Sequence, residues 1–175
     1  MRTALLALNK LVDDGLIPAY AIGGAIAANF YVEAFATADL DVFVLFPAQD
    51  ASAILPLSPI YRALERAGGK VRGEHIEIDG TLLQIVPDSD ALSREAIAQA
   101  TLVDYEGVPT RVMAAEHLCA IALQTGRRKD LARVEMFVTQ QAVDLKGLVD
   151  ILERHGLSEK LPEEFRPASP FSSGG

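Results

Sequence analysis

Asp39-Leu40-Asp41 opens an apolar run, Val42-Phe43-Val44-Leu45. Residues two apart on a strand point to one face, so both carboxylates gather on one side of the strand's start. Two hard oxygen ligands placed that way suit Mg²⁺, which keeps several waters and takes its remaining ligands from a substrate phosphate. Upstream, Gly23-Gly24 stands between an apolar stretch, Ala19 to Ile22, and a small-residue stretch, Ala25 to Phe30. A glycine pair at a strand-to-helix junction lets the backbone approach a ligand closely, and the free N–H groups of a helix start favour an anion.

Each motif also has a purely structural account, in which the glycines make a tight turn and the aspartates cap the start of the strand. The twelve aspartates of this chain make about one Asp-x-Asp pair expected by chance, and a second pair, Asp88-Ser89-Asp90, does occur. The information is in the order: strand, Gly-Gly, helix, then Thr37-Ala38-Asp39-Leu40-Asp41 opening an apolar strand.

The elements that must position these residues follow from hydrophobic period. Leu5, Leu8, Leu11 and Val12 recur at helical spacing and stop at Gly15 and Pro18. Ala19–Ile22 and Leu40–Phe46 read as strands, the second apolar enough to be covered on both faces. Ile54, Leu57, Tyr61 and Leu64 mark a helix that begins near Pro56 and Pro59 and ends at Gly68-Gly69. His75 to Pro87 reads as a hairpin turning at Asp79-Gly80. That turn pairs Ile78 with Thr81, Glu77 with Leu82 and His75 with Gln84, which puts His75, Glu77 and Gln84 on one face. Ala91–Ala100 reads as a further helix, and Pro109–Met113 as a short edge strand. Three helical stripes follow, through Leu118, Ile121 and Ala122, through Leu131, Val134, Phe137 and Val138, and through Leu145, Leu148, Val149 and Leu152. The order predicts an α/β (α+β) fold with a mixed sheet flanked by helices, with a core over 1–114, a helical cap over 115–158, and a disordered tail over 159–175.

Composition bounds the function. The chain has 175 residues, half of them apolar and 23% charged, with a mean hydropathy of +0.20, enough to bury a core. No stretch approaches the ~18 apolar residues of a membrane helix, and the N-terminus lacks a signal-peptide pattern. The one cysteine, Cys119, excludes an internal disulfide framework, so the expected compartment is the cytoplasm. Net charge is −8, and residues 1–110 hold 15 acids against 7 bases. That region is a poor nucleic-acid surface. The basic cluster Arg127, Arg128, Lys129 and Arg133 lies in the neutral C-terminal third.

Tyr20-Ala-Ile-Gly-Gly-Ala-Ile-Ala-Ala followed by Thr37-Ala-Asp-Leu-Asp-Val-Phe-Val resembles the signature of the DNA-polymerase-β-type nucleotidyltransferase superfamily. Val112 to Asp130, an apolar helix leading into an Arg/Lys-rich turn closed by Asp, resembles its small bacterial branch of abortive-infection and minimal nucleotidyltransferases. The resemblance implies a sheet of the nucleotidyltransferase type and transfer of a nucleoside monophosphate from a Mg²⁺- or Mn²⁺-bound nucleoside triphosphate to a hydroxyl. It implies that Gly23, Gly24 and Thr37 bind the nucleotide, that Asp39 and Asp41 hold the metal, that Arg127, Arg128 or Lys129 neutralises phosphate charge, and that Asp130 orients that basic group.

The chain departs from the pattern in two places. Fourteen residues separate Gly24 from Asp39, a long gap for the family. The third carboxylate of active members falls in Leu83-Gln84-Ile85-Val86, where Gln84 stands in its place. An amide cannot take the acceptor's proton. On the hairpin face, either Glu77 supplies the missing carboxylate or His75 acts as base. The resemblance thus implies an enzyme acting on a protein or RNA hydroxyl, RNA being disfavoured by the acidic balance. The competing expectation is a catalytically degenerate interaction module, such as one component of a toxin–antitoxin pair.

Overall fold

The computed structural model describes residues 1–33, 37, 39–46 and 57–166. It divides into two compact units, Met1–Ala114 and Ala115–Gly175. The first contains α1 (Arg2–Asp13), β1 (Ala19–Ile22), α2 (Gly24–Ala28), β2 (Asp39–Leu45), α3 (Leu57–Arg66), β3 (Lys70–Arg72), β4 (His75–Ile78), β5 (Thr81–Pro87), α4 (Ala91–Ala98), β6 (Thr101–Tyr105) and β7 (Val108–Val112). The second contains α5 (Ala115–Thr125), α6 (Arg128–Thr139) and α7 (Leu145–Arg154). No helix among the described residues is long and apolar enough to cross a membrane.

The seven strands form one mixed sheet in the order β3-β4-β5-β2-β1-β7-β6. β2 pairs antiparallel with β1 and parallel with β5, and β1 meets β7 in parallel. Period-two alternation gives the sheet one fully buried face: Tyr20 and Ile22, Leu40, Val42 and Val44, Ile76 and Ile78, and Leu83 are each 1% exposed or less. Helices α1, α3 and α4 lie against the sheet, with Leu5, Leu8, Ile60, Leu64, Leu92 and Ile97 buried from their apolar stripes. Burial of Tyr20 pushes its hydroxyl up to about 12, and that hydroxyl donates to Asn9 Oδ1 at 2.6 Å. Asn9 in turn donates to the Pro109 carbonyl at 2.9 Å, tying α1 to β7.

The β4–β5 hairpin has the expected register, Ile78 opposite Thr81, Glu77 opposite Leu82 and His75 opposite Gln84. Asp79 and Gly80 have φ of 49° and 75°, the positive values a two-residue type I′ turn requires.

Three expectations are corrected. β7 is not an edge strand, because β6 pairs along its whole length through a second turn at Glu106-Gly107. β6 and the exposed β3 form the edges instead. The apolar run of β2 is fully buried on only one face, its other face, with Asp39, Asp41, Phe43 and Leu45, being half-buried. Residues 158–166 form two 3-10 turns with Leu161 only 3% exposed, because one apolar side chain finds a buried seat despite the flanking polar sequence. The expected tail over 167–175 lies outside the described residues, as do Ala38 and Ile54.

Candidate functional site

The half-buried face of the sheet gathers polar side chains in rows across adjacent strands. Gly23 follows β1 and its N–H donates to the Asp41 carbonyl at 2.9 Å. Asp41 lies beside Gln84, and Gln84 beside His75. One pleat away, Asp39 lies beside Leu82, and Leu82 beside Glu77. Directly paired residues share a face, so Asp39, Asp41, Gln84, His75 and Glu77 all project from this one.

The glycine pair is fitted to its neighbours atom by atom. Gly24 has φ +62°, a conformation side chains rarely adopt. A Cβ there would overlap Asp41 Oδ2 and stand 2.7 Å from Asp41 Cγ, so the Asp41 carboxylate rests against the Gly24 backbone. A Cβ on Gly23 would stand 2.5 Å from Phe43 Cε2 and 3.3 Å from Met113 Sδ. Gly23 therefore admits the Phe43 ring, and Gly24 admits the carboxylate. The group that approaches Gly24 closely is the Asp41 carboxylate, where the sequence reading expects a ligand.

Asp39 and Asp41 differ from Asp88 and Asp90 in their surroundings. The Asp39 carboxylate makes no hydrogen bond or ion pair with any described residue, while its backbone N–H donates to Thr37 Oγ1 at 3.5 Å. The second Asp-x-Asp pair is structural throughout. Buried Asp88 accepts from the Phe46 N–H at 3.3 Å and lies 3.8 Å from Arg94. Asp90 caps α4, accepting from the Ser93 N–H at 2.7 Å in a capping box. Asp90→Ala should therefore cost about 1 kcal/mol of stability, read as a lower melting temperature with no change in any ligand-induced shift.

Two same-face carboxylates, one of them without a partner among the described residues, match the one or two that Mg²⁺ uses when phosphates and water supply the rest. Among the described residues, no group of three or more His, Cys, Asp and Glu gathers to hold a metal by protein ligands alone. The set fits a metal that arrives with a phosphate.

Glu77 shares the face but lies two strands from Asp39, about 10 Å away at ~4.8 Å per strand. Its carboxylate accepts from Arg72 Nε at 3.1 Å, and Lys70 lies opposite it on β3. That contact was invisible in the sequence, because three exposed residues, Lys70-Val71-Arg72, carry no strand pattern.

The remaining predicted residues belong to the second unit. Arg127 precedes α6, Arg128 and Lys129 open it, and all three are exposed. Asp130 is buried and faces Arg133 at 3.4 Å and Arg127 at 3.9 Å. Its nearer partner, Arg133, lies outside the Arg127–Lys129 run. Cys119 is buried on α5, and burial, reinforced by Glu116, holds its thiol well above the usual range. It stays protonated and unreactive.

No protein-family model and no curated protein sequence matches the chain. Solved structures do. The antibiotic-resistance factor ANT(2'')-Ia superposes in its solution structure with a TM-score of 0.52 at 16% identity, covering 90% of this chain and 95% of that one. Its crystal structure with adenylyl-2''-tobramycin gives 0.51 at 17% identity, covering 91% and 98%. An antigenic nucleotidyltransferase-like protein from Paracoccidioides brasiliensis gives 0.50 at 17% identity, covering 90% and 89%. At these identities the likeness is one of fold, and the mixed seven-stranded sheet with its flanking helices is a nucleotidyltransferase fold.

Proposed function

We infer that the chain binds a Mg²⁺- or Mn²⁺-bound nucleoside triphosphate at the Gly23-Gly24/Asp39/Asp41 corner and transfers its nucleoside monophosphate to a hydroxyl. The observation that carries this reading is the Asp41 carboxylate seated on the Gly24 backbone, with Asp39 on the same face and without a partner among the described residues. Asp39 and Asp41 hold the metal, which when bound neutralises phosphate charge. Gly23, Gly24 and Thr37 receive the nucleotide. In keeping with the resemblance of Val112–Asp130 to the small bacterial branch, Arg127, Arg128 or Lys129 neutralises phosphate charge, and Asp130, which faces Arg127 at 3.9 Å, orients that basic group. A residue of β4, Glu77 or His75, takes the acceptor's proton.

The acceptor is a hydroxyl without a polyanionic backbone. Residues 1–110 hold 15 acids and 7 bases, which favours a protein hydroxyl and disfavours RNA. The crystal complex of ANT(2'')-Ia pairs this fold with a nucleotidylated small molecule, so small polyhydroxyl compounds belong among the acceptors tried. Incubation with each labelled nucleoside triphosphate and Mg²⁺, alone and with cell extract, should place label on an acceptor and should fail with Asp41→Asn.

Gln84 supports a second reading, a degenerate module that keeps the fold and acts by interaction, for example with a cognate toxin or antitoxin. On that reading the wild type transfers nothing, and Gln84→Asp brings transfer from undetectable to measurable, a gain of about 10²–10⁴-fold from a restored base. Label transferred by the wild type decides against it.

A further inference from the structure

The row across the sheet reads Gly23, Asp41, Gln84, His75 and Arg72, one residue from each of four adjacent strands preceded by the glycine that follows β1. Neighbouring side chains in such a row stand about 5 Å apart. Three of its members cannot accept a proton from a substrate hydroxyl. Gly23 has no side chain, the Gln84 amide has no basic site, and the Arg72 guanidinium is permanently protonated. Asp41 faces Gly24 at the metal corner.

His75 remains. Its imidazole and the Gln84 amide are half-buried, and neither makes a hydrogen bond or ion pair with any described residue. Arg72, which faces His75 from β3, instead donates to Glu77 Oε2 at 3.1 Å. The competing base is therefore engaged. Glu77 is held by Arg72, lies opposite Lys70 and is separated from Asp39 by apolar Leu82. The Glu77 carboxylate must leave Arg72 to turn toward a substrate, whereas the His75 imidazole has no contact with a described residue to break.

We propose that His75 is the catalytic base of this site and that Gln84, between Asp41 and His75, positions the acceptor hydroxyl by hydrogen bonding. The proposal rests on the nucleotidyltransferase reading above. As the acceptor oxygen forms its bond to the α-phosphorus, the bond from that phosphorus to the bridging oxygen of pyrophosphate breaks, and its electron pair leaves with pyrophosphate. The hydroxyl proton passes to the His75 imidazole and from there to solvent. No oxidant or further reactant is consumed.

The test uses the full-length protein and an α-labelled nucleoside triphosphate with Mg²⁺, first with water as acceptor and then with extract components added. Calorimetry of triphosphate binding runs beside it. His75→Ala should lower turnover by about 10²–10⁴-fold while triphosphate affinity stays within about twofold, and added imidazole should restore part of the rate. In the double variant His75→Ala/Gln84→Asp, the new carboxylate should also restore turnover. His75→Gln, closer in size, provides the comparison if His75→Ala folds poorly. Turnover that survives both His75 variants overturns the proposal. So does a loss that neither imidazole nor Gln84→Asp repairs, or abolition by Glu77→Gln in its place. A wild type that binds the triphosphate without turning it over defeats the base assignment and leaves the binding reading standing. A wild type that binds none defeats the binding reading itself, and His75 with it.

Discussion

Gly24→Ala should abolish binding of Mg²⁺–nucleoside triphosphate, measured by calorimetry, and lower the melting temperature. Two effects act together. The residue has φ +62°, and an L side chain in that region costs roughly 1–2 kcal/mol. The new methyl would also occupy the place of Asp41 Oδ2. Asp41 cannot retreat with its backbone, because β2 is pinned between β1 and β5, so its carboxylate must rotate off the corner. Gly80→Ala separates the two effects. Gly80 has φ +75° and nothing within 4 Å of a Cβ, so alanine there carries the backbone cost alone. Both variants should lose about 2–8 °C in melting temperature, and only Gly24→Ala should lose the ligand. Equal binding by the two would show that the Asp41–Gly24 contact does not build the site.

Asp39→Asn should remove the thermal shift produced by Mg²⁺–nucleoside triphosphate while leaving the melting temperature in EDTA unchanged or higher. Two carboxylates on one face repel each other when no cation lies between them. Neutralising one relieves that repulsion, and the Asp39 carboxylate has no hydrogen bond to lose among the described residues. A ligand present at 100 times its dissociation constant stabilises by about 2.7 kcal/mol, so the lost shift amounts to several degrees. Asp90→Ala should show the opposite pattern, destabilised in EDTA with its ligand shift intact. If Asp39→Asn destabilises as Asp90→Ala does, Asp39 is a structural cap and the metal assignment fails.

These contrasts show which parts of the molecule were legible in the sequence. The β4–β5 register followed from Asp79-Gly80, because a two-residue turn leaves only one pairing and pleat alternation then assigns every face. The same rule put His75, Glu77 and Gln84 on one face of the hairpin and Asp39 and Asp41 on one side of their strand, but that the two sets share a face follows only from the β2–β5 register. Edge strands were harder. β6 is exposed at Thr101, Leu102 and Asp104, and the apolar Leu102 beside Val103 breaks the alternation of polar and apolar residues, while its turn puts Glu106 at φ 51°, a residue that does not signal such a conformation. The three residues of β3 are charged or exposed, which protects a sheet edge and erases the strand pattern at once. With β3 unseen, the Arg72–Glu77 pair was unseen too, and Glu77 stood ahead of His75 as the replacement for the missing carboxylate. The two Asp-x-Asp pairs could not be ranked locally, since capping and close approach to Gly24 are tertiary facts.

The parallel pairing of β2 with β5 sets the order in which this corner can form. Gln84 and His75 meet through a two-residue turn, a local closure of the kind that completes in microseconds. Asp41 and Gln84 are joined only after the chain between them, with α3 and the whole hairpin, has crossed over, and such long closures cost entropy before any contact repays it. The amide and imidazole are therefore assembled early and the carboxylates late. A nascent or partly folded chain carries half of the corner without its carboxylates, so on the proposed reading a charged nucleotide is captured only after the central strands have docked.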